Sequence, residues 1–137
     1  MTDEARRKVV AQELELAAKA LRETELLRGA GLVRGALSRL YFAGLHLAKA
    51  LLASDGLEAR SHRGVKSLVW TTFVQAGRLE PAHQQTLARL ETWRDEADYE
   101  RGFAEDPDLL KAEVEATEKL RRRVLELLRA AGFEGEG

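Results

Sequence analysis

The widest apolar pattern in this chain lies between residues 36 and 52, where apolar side chains recur three and four residues apart. The positions that follow this spacing are Leu37, Leu40, Tyr41, Gly44, Leu47, Ala48, Leu51 and Leu52. Five more apolar residues widen the face beyond a narrow stripe, namely Ala36, Phe42, Ala43, Leu45 and Ala50. A helix with so wide an apolar arc has to be covered on several sides. The pattern predicts the central helix of a bundle, with Arg39 and His46 as strongly polar groups inside it.

The rest of the chain predicts four further helices. Glycines and helix-starting prolines mark the boundaries, and the predicted helices span about residues 3–28, 32–53, 62–75, 81–101 and 107–131. No segment alternates apolar and polar residues as a strand would, and the sequence contains no Ile. We expect an all-α antiparallel bundle of four main helices and one shorter helix. Residues 1–132 form one domain in this prediction, and residues 133–137 form a flexible acidic tail.

Composition excludes several classes of protein. The 137 residues are 45% hydrophobic and 33% charged, and no run approaches the roughly 20 apolar residues of a membrane span. The first residues lack the apolar core of a signal peptide, so a cytoplasmic location is expected. Without cysteine there is no disulfide and no thiolate metal site. The absence of Asn and the excess of Arg over Lys, 16 to 6, fit a thermophilic source or a GC-rich genome.

The charges are unevenly distributed, although the net charge is only −1. Residues 28–78 contain eight Lys or Arg and two acidic residues, a balance of +6. This asymmetry predicts that the middle of the chain meets an anionic partner, either nucleic acid or an acidic protein surface. The alternative is a solvated face that complements the protein's own acidic helices.

The histidines indicate no metal site and no cofactor. His46, His62 and His83 do not have the spacing of paired ligands on one helix, and no phosphate-binding glycine loop is present. His62 lies between Arg60 and Arg63 at a predicted helix start, which makes it a candidate general base. The alternative is a turn residue that is hydrogen-bonded near the helix cap.

A second candidate group lies on the fourth predicted helix. Arg94 and Asp98 are four residues apart and share a helical face, and Tyr99 follows directly. One interpretation is an exposed ion-pair ladder worth about 0.3–0.5 kcal/mol per pair. The other is a phosphate-binding arginine that a carboxylate orients, with a phenol beside it.

Four segments together carry a resemblance to a known family, and they are SRLYFAGLH at 38–46, SHRGV at 61–65, FVQAGRL at 73–79 and RDEADY at 94–99. They resemble the HEPN superfamily, and more narrowly its small stand-alone prokaryotic branch. The resemblance implies a helical bundle that pairs as a homodimer. It also implies a toxin–antitoxin-like two-component system whose other component is a minimal nucleotidyltransferase encoded nearby.

Many HEPN proteins are metal-independent ribonucleases with an Arg-x(4–6)-His motif. Here Arg94 matches the arginine, but the residues at the histidine positions are Tyr99, Glu100 and Arg101. The main hypothesis is therefore a dimeric RNA- or nucleotide-binding module that acts with the nucleotidyltransferase. The alternatives are a ribonuclease with a non-standard site centred on Arg94, in which His62 or Asp98 with Tyr99 replaces the histidine, and a purely structural bundle.

The candidate residues fall into two overlapping sets. The catalytic candidates are Arg94, Asp98, Tyr99 and His62. The candidates for binding a nucleic acid or nucleotide are Arg39, Arg60, Arg63, Lys66 and Arg94. We expect Arg39 to meet a carboxylate or carbonyl of the fourth or fifth helix, or to lie beside Arg94, because an unpaired charge is costly in an apolar helix.

Large aromatic side chains also suggest an association surface. Tyr41, Phe42, Phe73 and Trp93 present more apolar surface than one thin bundle is expected to cover. Together with the resemblance, this predicts a two-fold interface that involves the central or the fourth helix.

Overall fold

Five α-helices and one π-helical turn make up the fold, which a computed structural model describes over residues 1–133. The helices are α1 (Asp3–Gly29), α2 (Val33–Ser54), α3 (His62–Val69), α4 (Pro81–Tyr99) and α5 (Pro107–Ala130), and the π-turn Trp70–Val74 continues α3. The described residues contain no strand. Four helices are long and α3 is short, so the predicted all-α bundle is confirmed.

Helix α2 is the centre of the bundle, because it packs against each of the other four helices. Leu37 and Leu40 on this helix are completely buried. Gly44 faces α4, where an added Cβ would stand 3.0 Å from the side chain of Leu90 and 3.3 Å from that of Leu87. The missing side chain at this position lets α4 approach α2 closely.

The third helix differs from the single helix predicted over residues 62–75, because it changes to a π-turn at Trp70. In this turn the N–H of Gln75 donates to the carbonyl of Trp70 at 2.8 Å, which is the i to i+5 spacing of a π-helix. The wider turn brings both Phe73 and Val74 into the core. Trp70 is left on the surface.

Helix α4 ends at Tyr99, two residues before the predicted end, because a side chain from α2 binds its last carbonyls. Arg34 donates from Nη1 to the carbonyl of Ala97 at 2.8 Å and from Nη2 to that of Glu100 at 2.7 Å. These bonds satisfy carbonyls that have no partner within the helix. The guanidinium also lies over the ring of Phe103, 5.4 Å from its centroid, and so fixes the loop that follows.

A buried carboxylate links α4 to α5. Glu113 of α5 is buried and accepts hydrogen bonds from Nε and Nη2 of Arg89 at 3.1–3.2 Å. The second of these nitrogens also donates to the hydroxyl of Thr86 at 3.3 Å. Val114, the next residue along α5, is only partly buried.

The bundle itself covers the aromatic residues that were predicted to form an association surface. Tyr41 and Phe73 belong to the core, and Phe42 and Trp93 are partly buried against it. The large apolar side chains that are exposed are others, namely Met1, Leu16, Leu26, Leu32, Trp70 and Tyr99. The surface argument for dimerisation was therefore wrong, and dimerisation stays a prediction that rests on the resemblance.

The end of the described chain folds back onto α1. Phe133 is buried, its N–H donates to the carbonyl of Leu128 at 2.8 Å, and Arg7 lies over its ring at 5.5 Å. Apart from Phe133, the tail predicted over residues 133–137 lies outside the described residues. Within residues 1–133, no helix has both the length and the apolar character needed to cross a membrane.

Candidate nucleic-acid interface

Two arginines from different helices lie against one pair of aromatic rings. The Cζ atom of Arg39 is 4.5 Å from the ring centroid of Phe42, and that of Arg94 is 5.4 Å from the same centroid. Arg94 is also 5.2 Å from the ring of Tyr41, and the ring of His62 lies 5.5 Å from that of Tyr41. We call these five residues the Arg94 cluster.

Three helices bring the Arg94 cluster together. Helix α2 carries Arg39 and Phe42 three residues apart, which is the spacing of neighbours on a helix surface. Helix α4 supplies Arg94. His62 is the first residue of α3, where the hydroxyl of Ser61 caps the helix by accepting the N–H of Gly64 at 2.9 Å. Ser61 therefore makes the cap, and the His62 ring is free to pack on the aromatic pair.

Arg94 has carboxylates beside it but an incompletely satisfied guanidinium. Nε lies 3.3 Å from Asp98 and Nη1 lies 3.7 Å from Asp95, which matches the predicted pairing of Arg94 with Asp98 on one face. Nε is nevertheless buried and makes no hydrogen bond within the described chain. Buried donors without a partner are uncommon and are often completed by a ligand or a water molecule.

Tyr41 contributes a second unsatisfied group. Only 4% of this residue is exposed, and its hydroxyl has no hydrogen-bond partner among the described residues. Burial, reinforced by the nearby carboxylate of Glu91, raises the pKa of Tyr41 to about 12, although the positive charge of Arg94 acts in the opposite direction. The phenol is therefore neutral at physiological pH, so it acts as a donor and not as a base.

A small cavity of about 10 Å³ lies next to this phenol. Tyr41, His62, Lys66 and Glu91 contribute its polar lining. A volume of this size is at the lower limit for one water molecule. The cavity thus admits a single atom or a water, whereas anything larger has to bind on the outer face of the cluster.

The environment of Arg39 differs in part from the prediction. Its carboxylate partner is Glu23 of α1, with Nη1 and Oε1 3.8 Å apart, and not a group on α4 or α5. The nearest carboxylate belongs to α1 because α1 packs along α2. The second expectation, a position beside Arg94, agrees with the structure, since both guanidiniums contact the ring of Phe42.

The three cations predicted on α3 and before it have two different environments. Lys66 forms an ion pair with Glu91 at 2.6 Å and so ties α3 to α4. Arg60 and Arg63 are exposed, and neither has an ion-pair partner within residues 1–133. Their charges are therefore available to a ligand.

Tyr99 lies away from the Arg94 cluster. It is 76% exposed, and five residues after Arg94 it is rotated by about 140° around α4. Asp98, at four residues, remains close to the guanidinium. The structure therefore brings together His62, Asp98, Arg39 and Arg94 from the predicted set, but not Tyr99.

The other histidines have structural environments. Nδ1 of His46 is 2.6 Å from Glu13 and joins α2 to α1. Burial lowers the pKa of His83, and Arg123 acts in the same direction, whereas Glu80 opposes it. No group of three or more potential metal ligands occurs in the described part of the chain.

The sequence interpretation missed the role of Tyr41 and Phe42. Both were assigned to the apolar arc of the central helix, which is correct for packing. Their position between Arg39 and the capping segment of α3 depends on contacts between helices, which periodicity alone does not contain. The only local signal is Arg39 three residues before Phe42, a spacing that allows a cation–π contact.

Comparison with known proteins agrees with this architecture. A family model described as "HEPN domain" matches residues 11–130, which include all of the Arg94 cluster. A Methanocaldococcus jannaschii protein named "Putative toxin" is 33% identical over 86 residues, which are 63% of this chain and 64% of the relative. A UPF0332 protein of Pyrococcus horikoshii is 32% identical over 78 residues, 57% of this chain and 55% of the relative.

A further UPF0332 protein, from Archaeoglobus fulgidus, is 35% identical over 69 residues, 50% of this chain and 54% of the relative. The chain thus matches between about half and two thirds of the length of these curated relatives. The family model, in contrast, covers most of the chain and most of the helices of the bundle. The chain belongs to the HEPN domain family.

Proposed function

We propose that this chain is the HEPN component of a toxin–antitoxin-like two-component system, in which it binds RNA or nucleotide as a dimer and acts with a nucleotidyltransferase. The family membership and the relative named "Putative toxin" support the assignment to a toxin–antitoxin-like system. The Arg94 cluster supports the binding role. Its decisive feature is the pair of guanidiniums, from Arg39 and Arg94, on the ring of Phe42.

The chemistry of the cluster suits a phosphate next to a base. Guanidinium donates two parallel hydrogen bonds to a phosphate, and the Arg94 side chain is 22% exposed, so part of its guanidinium is accessible to a ligand. Aromatic and guanidinium planes also stack on bases. The cluster thus combines the groups that bind both parts of a nucleotide.

The proposed dimer places Arg94 opposite its two-fold mate across a cleft, as the resemblance to HEPN dimers implies. Light scattering at micromolar concentration is expected to give about twice the monomer mass of 15.3 kDa. A mass near 15.3 kDa would contradict the dimer. Co-expression with the nearest encoded nucleotidyltransferase, followed by size-exclusion chromatography, tests the second partner, and separate elution of the two proteins would contradict it.

Binding to a fluorescein-labelled RNA oligonucleotide tests the role of Arg94. Arg94→Ala should weaken binding, and Arg94→Lys should restore only part of it, since lysine lacks the bidentate geometry. Arg121 on α5 is a matched control, because its side chain is 20% exposed against 22% for Arg94 and it also pairs with a carboxylate on its own helix. Equal effects of Arg94→Ala and Arg121→Ala on affinity would contradict the proposal.

The control is needed because Arg94 is more buried than the sequence suggested. Its side chain packs on two rings, so Arg94→Ala removes contacts as well as charge. Each variant is therefore compared by its melting temperature before its affinity is interpreted. A loss of stability without a change in affinity would make Arg94 a structural residue.

One observation favours the ribonuclease alternative. Arg94 and His62 contact the same ring, that of Tyr41, so a phosphate-binding group and a proton acceptor are near each other although they lie on different helices. In that reaction the 2′-oxygen attacks the adjacent phosphorus and gives its proton to the imidazole. The bond to the 5′-oxygen breaks, and this oxygen takes a proton from water. Cleavage in EDTA that is lost in His62→Gln would support it, and intact RNA with the native chain would contradict it.

A further inference from the structure

An exposed tryptophan lies at the end of the third helix. Trp70 is 44% exposed in the π-turn after α3, whereas Trp93 packs against the core. Arg63, Ser67 and Trp70 are all exposed and follow one another at four and three residues. They therefore lie along one side of the helix, with about 10 Å of rise between the first and the last.

The charge around this side is of one sign. Residues 59–79 contain four Lys or Arg and no Asp or Glu. Lys66 and Arg78 are paired with carboxylates from elsewhere, but Arg60 and Arg63 have no ion-pair partner within the described residues. The first turn of α3 also has no acidic residue. Cations at this helix end lie in the positive field of the helix dipole, an arrangement that an anionic ligand would stabilise.

Arg63, the first residue of this side, follows a member of the Arg94 cluster in the chain. His62, next to Arg63 in the chain, has its ring 5.5 Å from Tyr41 and 6.3 Å from Phe42. The side of α3 itself thus combines an unpaired cation, Arg63, with an exposed indole, Trp70.

We propose that this side of α3, formed by Arg63, Ser67 and Trp70, binds single-stranded RNA, with a phosphate on Arg63 and a base stacked on Trp70. The proposal rests on the proposed function and narrows it from a nucleotide to a strand of several nucleotides. Because Arg63 and Trp70 are about 10 Å apart along the helix, one ligand has to extend over that distance to contact both. Single strands offer unpaired base faces to an aromatic side chain, whereas a duplex offers mainly phosphates.

Fluorescence anisotropy with a labelled 12-nucleotide oligouridine tests whether this side of α3 binds single-stranded RNA. Trp70→Ala should weaken binding by about 5- to 100-fold, the range expected for the loss of one base–aromatic stack. Trp70→Phe should retain most of the affinity, and Trp70→Leu should not. Leu26→Ala on α1 is the matched control, because this residue is also an exposed large apolar side chain. Arg63→Gln should reduce the slope of log affinity against log salt by about 1.

Two additional ligands separate this proposal from the one on which it rests. Binding of uridine monophosphate should depend on Arg94 but not on Trp70, and affinity for a blunt RNA duplex should be equal in the native chain and Trp70→Ala. Oligouridine binding that needs Arg94 but not Trp70 would overturn only the proposal that this side of α3 binds RNA. Absence of any Arg94-dependent binding would overturn the proposed function itself.

A protein partner is the competing occupant. Trp70→Ala and Trp70→Phe could leave RNA affinity unchanged but reduce the mass measured by light scattering. In that case the indole belongs to an interface between copies of the chain, and RNA binding by this side of α3 is refuted. Fluorescence of the indole gives an internal check. Oligouridine should quench the emission of the native chain, and this quenching should disappear in Trp70→Phe, which keeps only Trp93.

Discussion

Replacing Tyr41 with Phe should make the protein more stable. The hydroxyl is buried without a partner, and an unsatisfied buried polar group costs about 1–3 kcal/mol. Removing it adds an empty volume of the order of the neighbouring 10 Å³ cavity, which at about 24 cal/mol per Å³ costs only about 0.2 kcal/mol. We therefore expect Tyr41→Phe to raise the free energy of unfolding by about 1 kcal/mol.

Thermal and urea unfolding measure this change. A gain of about 1 kcal/mol corresponds to a rise of roughly 3–5 °C in melting temperature for a chain of this size. Tyr99→Phe is the control, because its side chain is 76% exposed and the substitution should change stability by less than about 0.5 kcal/mol. Affinity for the RNA oligonucleotide should stay unchanged in Tyr41→Phe, since the hydroxyl is buried beside a cavity that admits no more than a water molecule.

Alkaline pH gives a second measurement on the same group. Burial raises the folded-state pKa of Tyr41 to about 12, above the ordinary value of 10.0. The unfolded chain therefore loses the Tyr41 proton at a lower pH than the folded chain does. The free energy of unfolding is unaffected by this group below pH 10, and it falls as the pH rises from 10 towards 12. Tyr41→Phe should show a smaller loss in that interval. A variant that is less stable than the native chain at pH 7 would refute the reasoning, because the hydroxyl would then have a partner.

Three further predictions concern the bundle. Arg89→Ala should cost about 1.5–3 kcal/mol in the free energy of unfolding by leaving the carboxylate of Glu113 buried alone, whereas Glu113→Leu should be closer to neutral; equal losses in denaturant melts would contradict this. The hydrogen bond from Arg78 lowers the pKa of Asp55, so Asp55→Asn should destabilise the chain by up to about 1 kcal/mol at pH 7, and the difference from the native chain should disappear as the pH falls through that lowered pKa. Arg34→Ala should expose the last amides of α4 to faster hydrogen exchange while α1 is unaffected, and unchanged exchange would remove its capping role.

Periodicity was sufficient for the helices because each buried face repeats along a single segment. The central place of α2 followed from its wide apolar arc, and Gly29 and Pro107 marked helix boundaries to within one residue. The π-turn at Trp70 was not predicted, because it depends on one displaced backbone hydrogen bond. No residue type in the sequence marks that displacement. Glu113 was also missed, since its burial requires a cation from another helix.

The candidate site was predictable only in part, for a related reason. Arg94 and Asp98 were paired correctly because they lie on one helix. Tyr99 could have been excluded by the same geometry, since five residues turn a side chain to a different face. His62 and Phe42 lie on different helices, and their 6.3 Å separation depends on how α3 packs on α2.

The central claim is that a phosphate group binds the Arg94 guanidinium, and side-chain ¹⁵N NMR tests it most directly. Nε of Arg94 lies 3.3 Å from Asp98 in a side chain that is 22% exposed, so its N–H signal should shift when a phosphate of the added oligouridine binds the accessible part of the guanidinium. The Nε–H signal of Arg121, the matched control, should not move. Saturable RNA binding that leaves the Arg94 signal unchanged would contradict the claim.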